Sequence, residues 1–468
     1  MNNESAPSSH TASQESLPAP RPALSRRLSF FDLWSIGVAS LIGAGIFVLT
    51  GIAAGPAGPA LFLSFLIAGS VATLTALGFS ELAAMYPNAG ASYVYCREAF
   101  TTLSPRLGEF VSVVVGWTLM TQYVIIGAAV WLGFGLYARF VYPGLSLQAW
   151  AALLGALTTV LLYLGLTLSK HVINVLVFVK ILALAVFIVL GLKTARMAAP
   201  IYQTPFMPLG MAGVIAAAAI VAFGQTHIDA ICTLAEEAKN PRRDVPLATV
   251  TSILTVVFLY TLVGWTSVRV VDWHLLPKLD APLATAMRAA LSTKSFFAWM
   301  APAFIALAGM AATATSGMGC LIGAPRVGLA MARDGRLPGF LASIHPRFHS
   351  PSVATLILGA LGVALTAIGN IAVVASAGVF AALIVFVFVN LSVVILRHRR
   401  PDQERPFRIP FSVAGQPVLT FLALLGVIGE LFYLSRRAIL IGLLWLLTGV
   451  LVYFIHRMGK QRETRIER

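Results

Sequence analysis

Charged side chains are scarce in this sequence. Only 11% of its 468 residues are charged and 58% are hydrophobic, and its mean hydropathy is +0.86. An ordinary soluble domain carries about 25% charged residues. The composition therefore excludes a soluble protein and predicts a polytopic membrane protein.

Cysteine is rarer still, with only Cys96, Cys232 and Cys320 in the chain. They lie far apart and lack the spacing of metal ligands, so we expect free thiols, no disulfide framework and no metal site. No Ser/His/Asp constellation has an interpretable spacing either, and we expect neither a cofactor nor enzymatic activity. None of the three cysteines falls in a predicted outer loop, where it could link a partner subunit, and the sequence leaves a protein partner open.

Acidic residues are also few, with 18 Asp and Glu against 33 Lys and Arg and a net charge of +15. Such a balance could indicate a nucleic-acid partner, but its distribution indicates topology instead. If the N-terminus is cytoplasmic and the helices alternate, most basic residues fall in inner segments, as the positive-inside rule requires. We therefore expect an integral protein of the plasma (inner) membrane, surrounded by the lipid bilayer, with both termini cytoplasmic and no nucleic-acid partner.

Long apolar runs make up most of the chain. A spanning helix needs roughly 20 apolar residues. We count about twelve such runs and expect an all-α fold, with the runs near 31–54, 58–84, 108–141, 149–168, 172–192, 211–235, 247–270, 283–322, 352–369, 371–396, 417–434 and 438–456. Residues 1–28 are rich in Ser, Pro and Ala and are expected to form a disordered cytoplasmic tail, and residues 459–468 form a second cytoplasmic tail.

Two of these runs contain residues that interrupt a membrane helix. The first carries clustered glycines in "SIGVASLIGAGIFVLTG" (35–51), and glycine tolerates non-helical dihedrals at low steric cost. The sixth carries "GQTHID" (224–229) between apolar stretches. Irregular backbone survives at membrane depth only where protein or a water-filled cavity surrounds it, so both stretches are candidate sites.

The two interruptions occupy matching places. Each lies in the first helix of a five-helix block, about 31–194 and 211–397, which is the pattern of a transporter built from inverted repeats with its binding site at the breaks. A broken helix offers N–H groups to a carboxylate and C=O groups to an ammonium group or cation, so two facing breaks suit a zwitterion. The alternative for "GAGIF" is close packing of small residues between helices.

Four longer strings carry a family resemblance. They are "IGVASLIGAGIFVLTGIAAGPAGPA" followed by "ELAAMYPNAGASYVYCREAF", then "VAFGQTHIDAICTLAEEAKNPRRDVP", "GAPRVGLAMARDGRLP" and "LRHRRPDQERPFRIP". Over most of residues 30–412 the sequence resembles the amino acid–polyamine–organocation (APC) superfamily of permeases, nearest to its cationic-amino-acid-transporter-like branch.

The resemblance implies a leucine-transporter-type fold with twelve transmembrane helices, a five-plus-five inverted repeat and discontinuous helices 1 and 6. The transporter core would span 29–412, and two additional transmembrane helices would occupy 413–458. The implied function is a secondary active transporter that moves a small-molecule substrate, an amino acid or related amine, by alternating access and with proton coupling. A substrate exchanger or facilitator, or a transporter-derived nutrient sensor, is the alternative.

The same resemblance assigns roles to the two interruptions. Backbone groups of the first would receive the substrate carboxylate, namely those of Ile42, Gly43, Ala44, Gly45 and Ile46. Backbone carbonyls around Ala222, Phe223 and Gly224 would receive the amine, and the bulky Phe223 could gate the pocket.

Lys180 lies deep in the fifth apolar run, too far from either end for easy snorkelling. An intramembrane lysine is costly and marks a functional site by default. In proton-coupled members of the family a fifth-helix lysine occupies the place where sodium-coupled relatives bind sodium, and Lys180 matches that position. We predict that Lys180 is the proton-coupling residue; the alternatives are a permanently charged lysine that replaces the cation, or simple snorkelling.

Several positions depart from the family pattern. His227 takes the place of a glycine that many relatives carry at the sixth-helix break, and it either reads a polar substrate together with Gln225 or packs there and caps backbone groups. Asp229 matches an aspartate of the family pattern. It has either a structural role at the break or a direct role in binding an amine. Gln122 stands where cationic-transporter relatives often have a glutamate, which weakens the case for arginine or lysine as substrate.

Charges near the inner ends of the helices allow a further expectation. Four charged residues lie in a predicted amphipathic inner connection, namely Arg326, Arg333, Asp334 and Arg336. They could form an inward gate with Glu81 or Asp32, and the alternative is a solvated face with a few ion pairs.

Overall fold

The structure is a computed structural model that describes residues 26–88, 90–165, 170–194, 205–291, 296–348 and 350–466. Residues 1–25 of the predicted N-terminal tail and residues 467–468 of the predicted C-terminal tail lie outside these ranges. Sixteen α-helices occur in the described part of the chain: α1 Phe30–Leu41, α2 Ala44–Phe47, α3 Leu49–Ala57, α4 Leu61–Met85, α5 Ser92–Thr101, α6 Pro105–Val141, α7 Leu147–Tyr163, α8 Lys170–Thr194, α9 Gly210–Val221, α10 Pro241–Val270, α11 Pro282–Ala290, α12 Phe296–Arg333, α13 Ser352–Thr366, α14 Ile371–Arg399, α15 Val418–Tyr433 and α16 Arg436–Ile466.

Short elements connect these helices. A two-stranded antiparallel hairpin pairs β1 (Ser412–Val413) with β2 (Gln416–Pro417) and is a small exception to the predicted all-α class. Six 3₁₀ turns complete the described elements: Gly58–Ala60, Ala222–Gln225, Ile228–Ala230, Cys232–Glu237, Leu276–Lys278 and Gly339–Ala342.

The apolar helices confirm an integral, polytopic membrane protein. Within the described ranges, nine helical stretches are long and apolar enough to cross a membrane, and three shorter apolar helices coincide with the predicted runs near 149–168, 352–369 and 417–434. Chain segments of this length and hydropathy are stable in a bilayer because their backbone groups bond within the helix.

One predicted run has the wrong bounds. The apolar run near 283–322 covers the separate helix α11, which ends at Ala290, and most of α12, which continues to Arg333. Apolar character marks the part of a helix that lies in the membrane and says little about where the helix ends. Much of the inner connection predicted around Arg326 is therefore the polar end of α12.

The start of α1 is tied to the chain that follows the second interruption. Ser29 and Asp32 form a capping box, with the Ser29 backbone N–H donating to the Asp32 carboxylate at 3.0 Å. Just before it, the backbone N–H of Leu28 donates to Glu237 O at 3.0 Å, and that of Lys239 donates to Leu28 O at 2.8 Å. These bonds hold the start of α1 and the end of the second interruption together.

The packing brings both interruptions to the middle of the bundle. α12 lies along α6, and α10 lies along α4. α1 packs between α8, α10 and α12, while the short helix α2 contacts the 3₁₀ turn Ala222–Gln225. The irregular backbone of each interruption is thus covered by protein rather than by lipid, as membrane depth requires.

A buried ion pair joins the C-terminal ends of α4 and α14. Glu81, which is 1% exposed, accepts hydrogen bonds from Arg397 Nε at 2.7 Å and Nη2 at 2.6 Å. Its carboxylate also accepts from the Ile409 backbone N–H at 2.9 Å and lies 3.3 Å from Arg405 Nε. The hydrogen-bonding capacity of the Glu81 carboxylate is therefore satisfied within this one cluster.

Glu81 therefore does not pair with the residues near 326–336 in this structure, and the predicted inward gate with Asp32 stays a prediction. Because α4 packs against α14, Glu81 meets the cations at and just beyond the C-terminal end of α14. Arg326 instead pairs with Glu237 at 3.0 Å, and Asp334 pairs with Arg97.

Replacing Glu81 should strongly destabilise the protein. The variant Glu81→Gln leaves Arg397 buried without its counter-charge, which costs about 3–5 kcal/mol. Thermal unfolding of detergent-purified protein measures the effect. The matched control is Glu404→Gln, which breaks a pair whose side chains are 61% and 76% exposed and should cost less than about 1 kcal/mol. Equal midpoint shifts for the two variants would contradict this assignment.

Candidate functional site

The first interruption separates α1 from α2. α1 ends at Leu41, Ile42 adopts an extended conformation with φ −79° and ψ 98°, and α2 begins at Ala44. Glycine at position 43 lets this backbone lie close to α12, because a Cβ there would be 2.8 Å from the Ser316 side chain. No side chain of the described residues caps the N-terminus of α2, so its first amide groups are available to a ligand.

The second interruption is longer than the sequence predicts. The apolar run to Ala235 suggested that the helix resumes after Asp229, whereas the chain forms successive 3₁₀ turns and regular α-helix returns only at Pro241. Hydroxyl groups favour this geometry, since Thr226 Oγ1 donates to Phe223 O at 2.9 Å and Thr233 Oγ1 to Ala230 O at 2.8 Å. Such bonds compete with regular helical pairing.

Two glycines bring the interruptions into backbone contact. A Cβ added at Gly45 would lie 2.4 Å from Gly224 Cα, closer than any real carbon contact. A Cβ at Gly224 would in turn lie 2.7 Å from the Tyr260 ring. The glycine-rich stretch therefore serves a close approach, which is also the reason that small residues occur at helix interfaces in membranes.

Lys180 reaches the end of α1 from α8. It is fully buried, and its Nζ donates to Ala39 O at 2.9 Å and to Ile42 O at 3.0 Å. Both carbonyls lie past the last helical bond of α1, which Ile42 N makes to Val38 O. The C-terminal end of a helix carries partial negative charge, so the ammonium group occupies a place that suits a cation.

Neighbouring carbonyls have partners of their own. Ser316 Oγ donates to Ser40 O at 2.9 Å, and Tyr260 OH donates to Leu41 O at 2.7 Å. Residues 39–42 thus have every carbonyl bonded by a side chain from α8, α10 or α12. Sequence reasoning missed Tyr260, although a lone tyrosine in the apolar run 247–270 is a signal, because a buried hydroxyl needs a partner.

Buried amide and carboxyl groups surround the second interruption. Gln122 Nε2 donates to Thr226 O at 3.2 Å, while Gln122 Oε1 has no hydrogen-bond partner among the described residues. Neither amide atom of Gln225 and neither oxygen of Asp229 has one. All three side chains are at most 1% exposed. The structure therefore brings together three of the predicted site residues with polar atoms still open.

His227 packs between α6 and α12. Its Nε2 lies 2.9 Å from Cys320 Sγ, and its ring stacks on Tyr123 with centroids 5.7 Å apart and an interplanar angle of 19°. Its side chain makes no capping bond to the turn that follows. The contact with Cys320 was not predicted from the sequence, because the two residues are 93 positions apart and nothing local marks a thiol as a partner.

Comparison with known proteins identifies the family. A model of the family described as amino acid permease matches residues 28–456. The chain belongs to the amino acid permease family. This permease is similar to the branched-chain amino acid permease BcaP of Bacillus subtilis, with 33% identity over 93% of each chain.

Two further relatives broaden the comparison. The methylthioribose transporter of Bacillus subtilis is 32% identical over 93% of this chain and 94% of its own. The vacuolar cationic amino acid transporter 4 of Arabidopsis thaliana is 34% identical over 84% of this chain and 66% of its own. These relatives confirm membership of the APC superfamily and indicate a transporter rather than an enzyme.

Separating the two interruptions should expose buried thiols. In the Gly45→Ala variant the new methyl group clashes with Gly224, and this overpacking costs about 1–3 kcal/mol. The fraction of molecules in which the two interruptions are locally separated should then rise by about tenfold. The labelling rate of Cys232 and Cys320 by a maleimide, followed by peptide mass spectrometry, should rise accordingly. Gly429→Ala, where a Cβ meets nothing within 4 Å, is the control and should not change labelling. Equal rates in both variants would show that the interruptions do not depend on this contact.

Proposed function

We propose that this permease is a secondary active transporter that moves amino acids or related amines across the plasma membrane by alternating access, coupled to protons through Lys180. The observation that carries the proposal is the contact of the buried Lys180 ammonium group with Ala39 O and Ile42 O at the first interruption. The names of the relatives, which include amino acid permeases and transporters, support an amino acid as substrate.

The arrangement of the interruptions supports a five-plus-five inverted repeat. One break follows Leu41 and the other follows Val221, about 180 residues later, and each belongs to the first helix of its block. Their contact through Gly45 and Gly224 would put a substrate between the two blocks. Motion of one block against the other then exposes the same site to either side of the membrane.

A zwitterion fits the backbone groups at this place. Uncapped amides at residues 43–46 would bind the carboxylate, since N–H groups at a helix start favour an anion. Carbonyls at Ala222–Gly224 would bind the amine. Phe223 O already accepts a hydrogen bond from Thr226 Oγ1. The carbonyls of Ala222 and Gly224 would therefore bind the ammonium group together with Phe223 O.

Lys180 links protonation to the conformation of α1. A buried ammonium group is stable only when hydrogen bonds compensate its lost hydration, and here the carbonyls of the α1 terminus provide them. If the lysine loses its proton, the attraction to these carbonyls weakens and α1 is less firmly held to α8. The proton would enter and leave when the site opens to either side.

The basic residues support the proposed orientation. The buried cluster of Glu81 with Arg397 and Arg405 and the pairs of Arg326 and Arg97 lie at helix ends that the positive-inside rule assigns to the cytoplasm. Both termini would then be cytoplasmic.

Removing Lys180 should abolish proton-driven accumulation. Purified protein in proteoliposomes should accumulate its amino acid substrate when an inward proton gradient is imposed. Lys180→Ala should lose this uphill accumulation by at least about tenfold and keep downhill movement, because it lacks the group that links protonation to α1.

The matched control is Lys193→Ala, on an exposed position of the last turn of the same helix, and it should behave like the wild type. Retained uphill accumulation by Lys180→Ala would contradict the coupling role. Wild-type transport that ignores the gradient and needs substrate on the opposite side would identify an exchanger. Binding without any crossing would identify a sensor.

A further inference from the structure

The side chains at the second interruption carry more hydrogen-bonding capacity than the protein uses. Gln225 has one acceptor and two donors with no partner among the described residues, and Gln122 has an open carbonyl oxygen. Gln122 is held at this place by its bond to Thr226 O. Buried polar groups in native proteins are nearly always bonded, so these amides are suited to a group that enters the site.

The neighbouring carboxylate has a different set of partners at hand. Asp229 lies close to the Tyr123 hydroxyl, which can donate a hydrogen bond to its carboxylate. A phenol supplies one hydrogen, so Tyr123 can serve this carboxylate without occupying either glutamine. The two glutamines then remain for a ligand.

The chemistry of these glutamines selects among ligand types. An amide pair offers both donors and acceptors and no charge, which matches a group that both donates and accepts. An aliphatic end would leave Gln122 and Gln225 desolvated and unpaired. A cationic end would face the neutral amides of Gln122 and Gln225, and it would compete with the Tyr123 hydroxyl for the Asp229 carboxylate.

We infer that Gln122 and Gln225 form a subsite for an uncharged, hydrogen-bonding end of the substrate, a carboxamide or a hydroxyl group, in preference to an aliphatic or cationic end. This inference rests on the proposed function, because it assumes that the substrate binds at the interruptions. It narrows the substrate class from amino acids in general to those with neutral polar side chains.

The size of the preference follows from the type of site. Apolar pockets discriminate weakly between similar ligands, whereas a site built to form hydrogen bonds strongly rejects an analogue that lacks them. Asparagine and leucine form a matched pair of probes, because their side chains have nearly the same shape and differ in hydrogen-bonding groups. We expect asparagine or glutamine to bind at least about tenfold more tightly than leucine or arginine.

The test measures binding of asparagine, glutamine, leucine and arginine to the full-length wild-type protein by calorimetry, and uptake of the same four in proteoliposomes. Gln225→Leu should lower the asparagine-to-leucine affinity ratio by at least about tenfold. A ratio taken within one variant is insensitive to a general loss of folded protein. Gln148→Leu, at an exposed glutamine on α7, is the control and should keep the wild-type ratio.

Two outcomes overturn the inference in distinguishable ways. If leucine or arginine binds as tightly as asparagine and glutamine and is transported, the subsite is wrong while amino acid transport stands. If none of the four amino acids binds or crosses, the inference fails, and the proposed function then requires another amino acid or amine as the substrate. The wild-type series decides the question even if Gln225→Leu does not fold.

Discussion

The backbone carbonyls at the end of α1 set the constraint on which the rest of the site depends. A helix that stops inside a membrane leaves its last carbonyls without partners, and lipid offers none. Here Lys180, Ser316 and Tyr260 bond the carbonyls of residues 39–42 from three different helices. The interruption is therefore held in place by α8, α10 and α12 together.

Two further sets of contacts between the interrupted segments support this arrangement. At the centre, Gly45 and Gly224 let the two interruptions touch. Further along both segments, the backbone bonds of Leu28 to Glu237 and Lys239 join the chain that precedes α1 to the end of the second interruption. The open amide atoms of Gln122 and Gln225 are not used by these contacts, so the proposed roles in specificity and coupling would belong to separate parts of one site.

The sequence predicted the places of the interruptions better than their partners. Glycines and a polar string within apolar runs are unusual in lipid, so Gly43 and Gln225 could be singled out without a structure. Ion-pair partners could not be identified from the sequence in this way. Glu81 and Arg397 are 316 positions apart, and in the sequence their charges resemble those that only set the membrane topology. The length of the 3₁₀ segment was also missed, since apolar composition does not distinguish 3₁₀ turns from α-helix.

Proton movement is the most direct test of the central claim that the Lys180 ammonium group couples a proton to the substrate. Proteoliposomes with a trapped pH-sensitive dye and a clamped membrane potential would be given an inward gradient of a transported amino acid. Proton-coupled transport predicts that the lumen acidifies as substrate enters. Substrate entry at constant luminal pH would contradict it, and Lys180 would then only occupy the cation site.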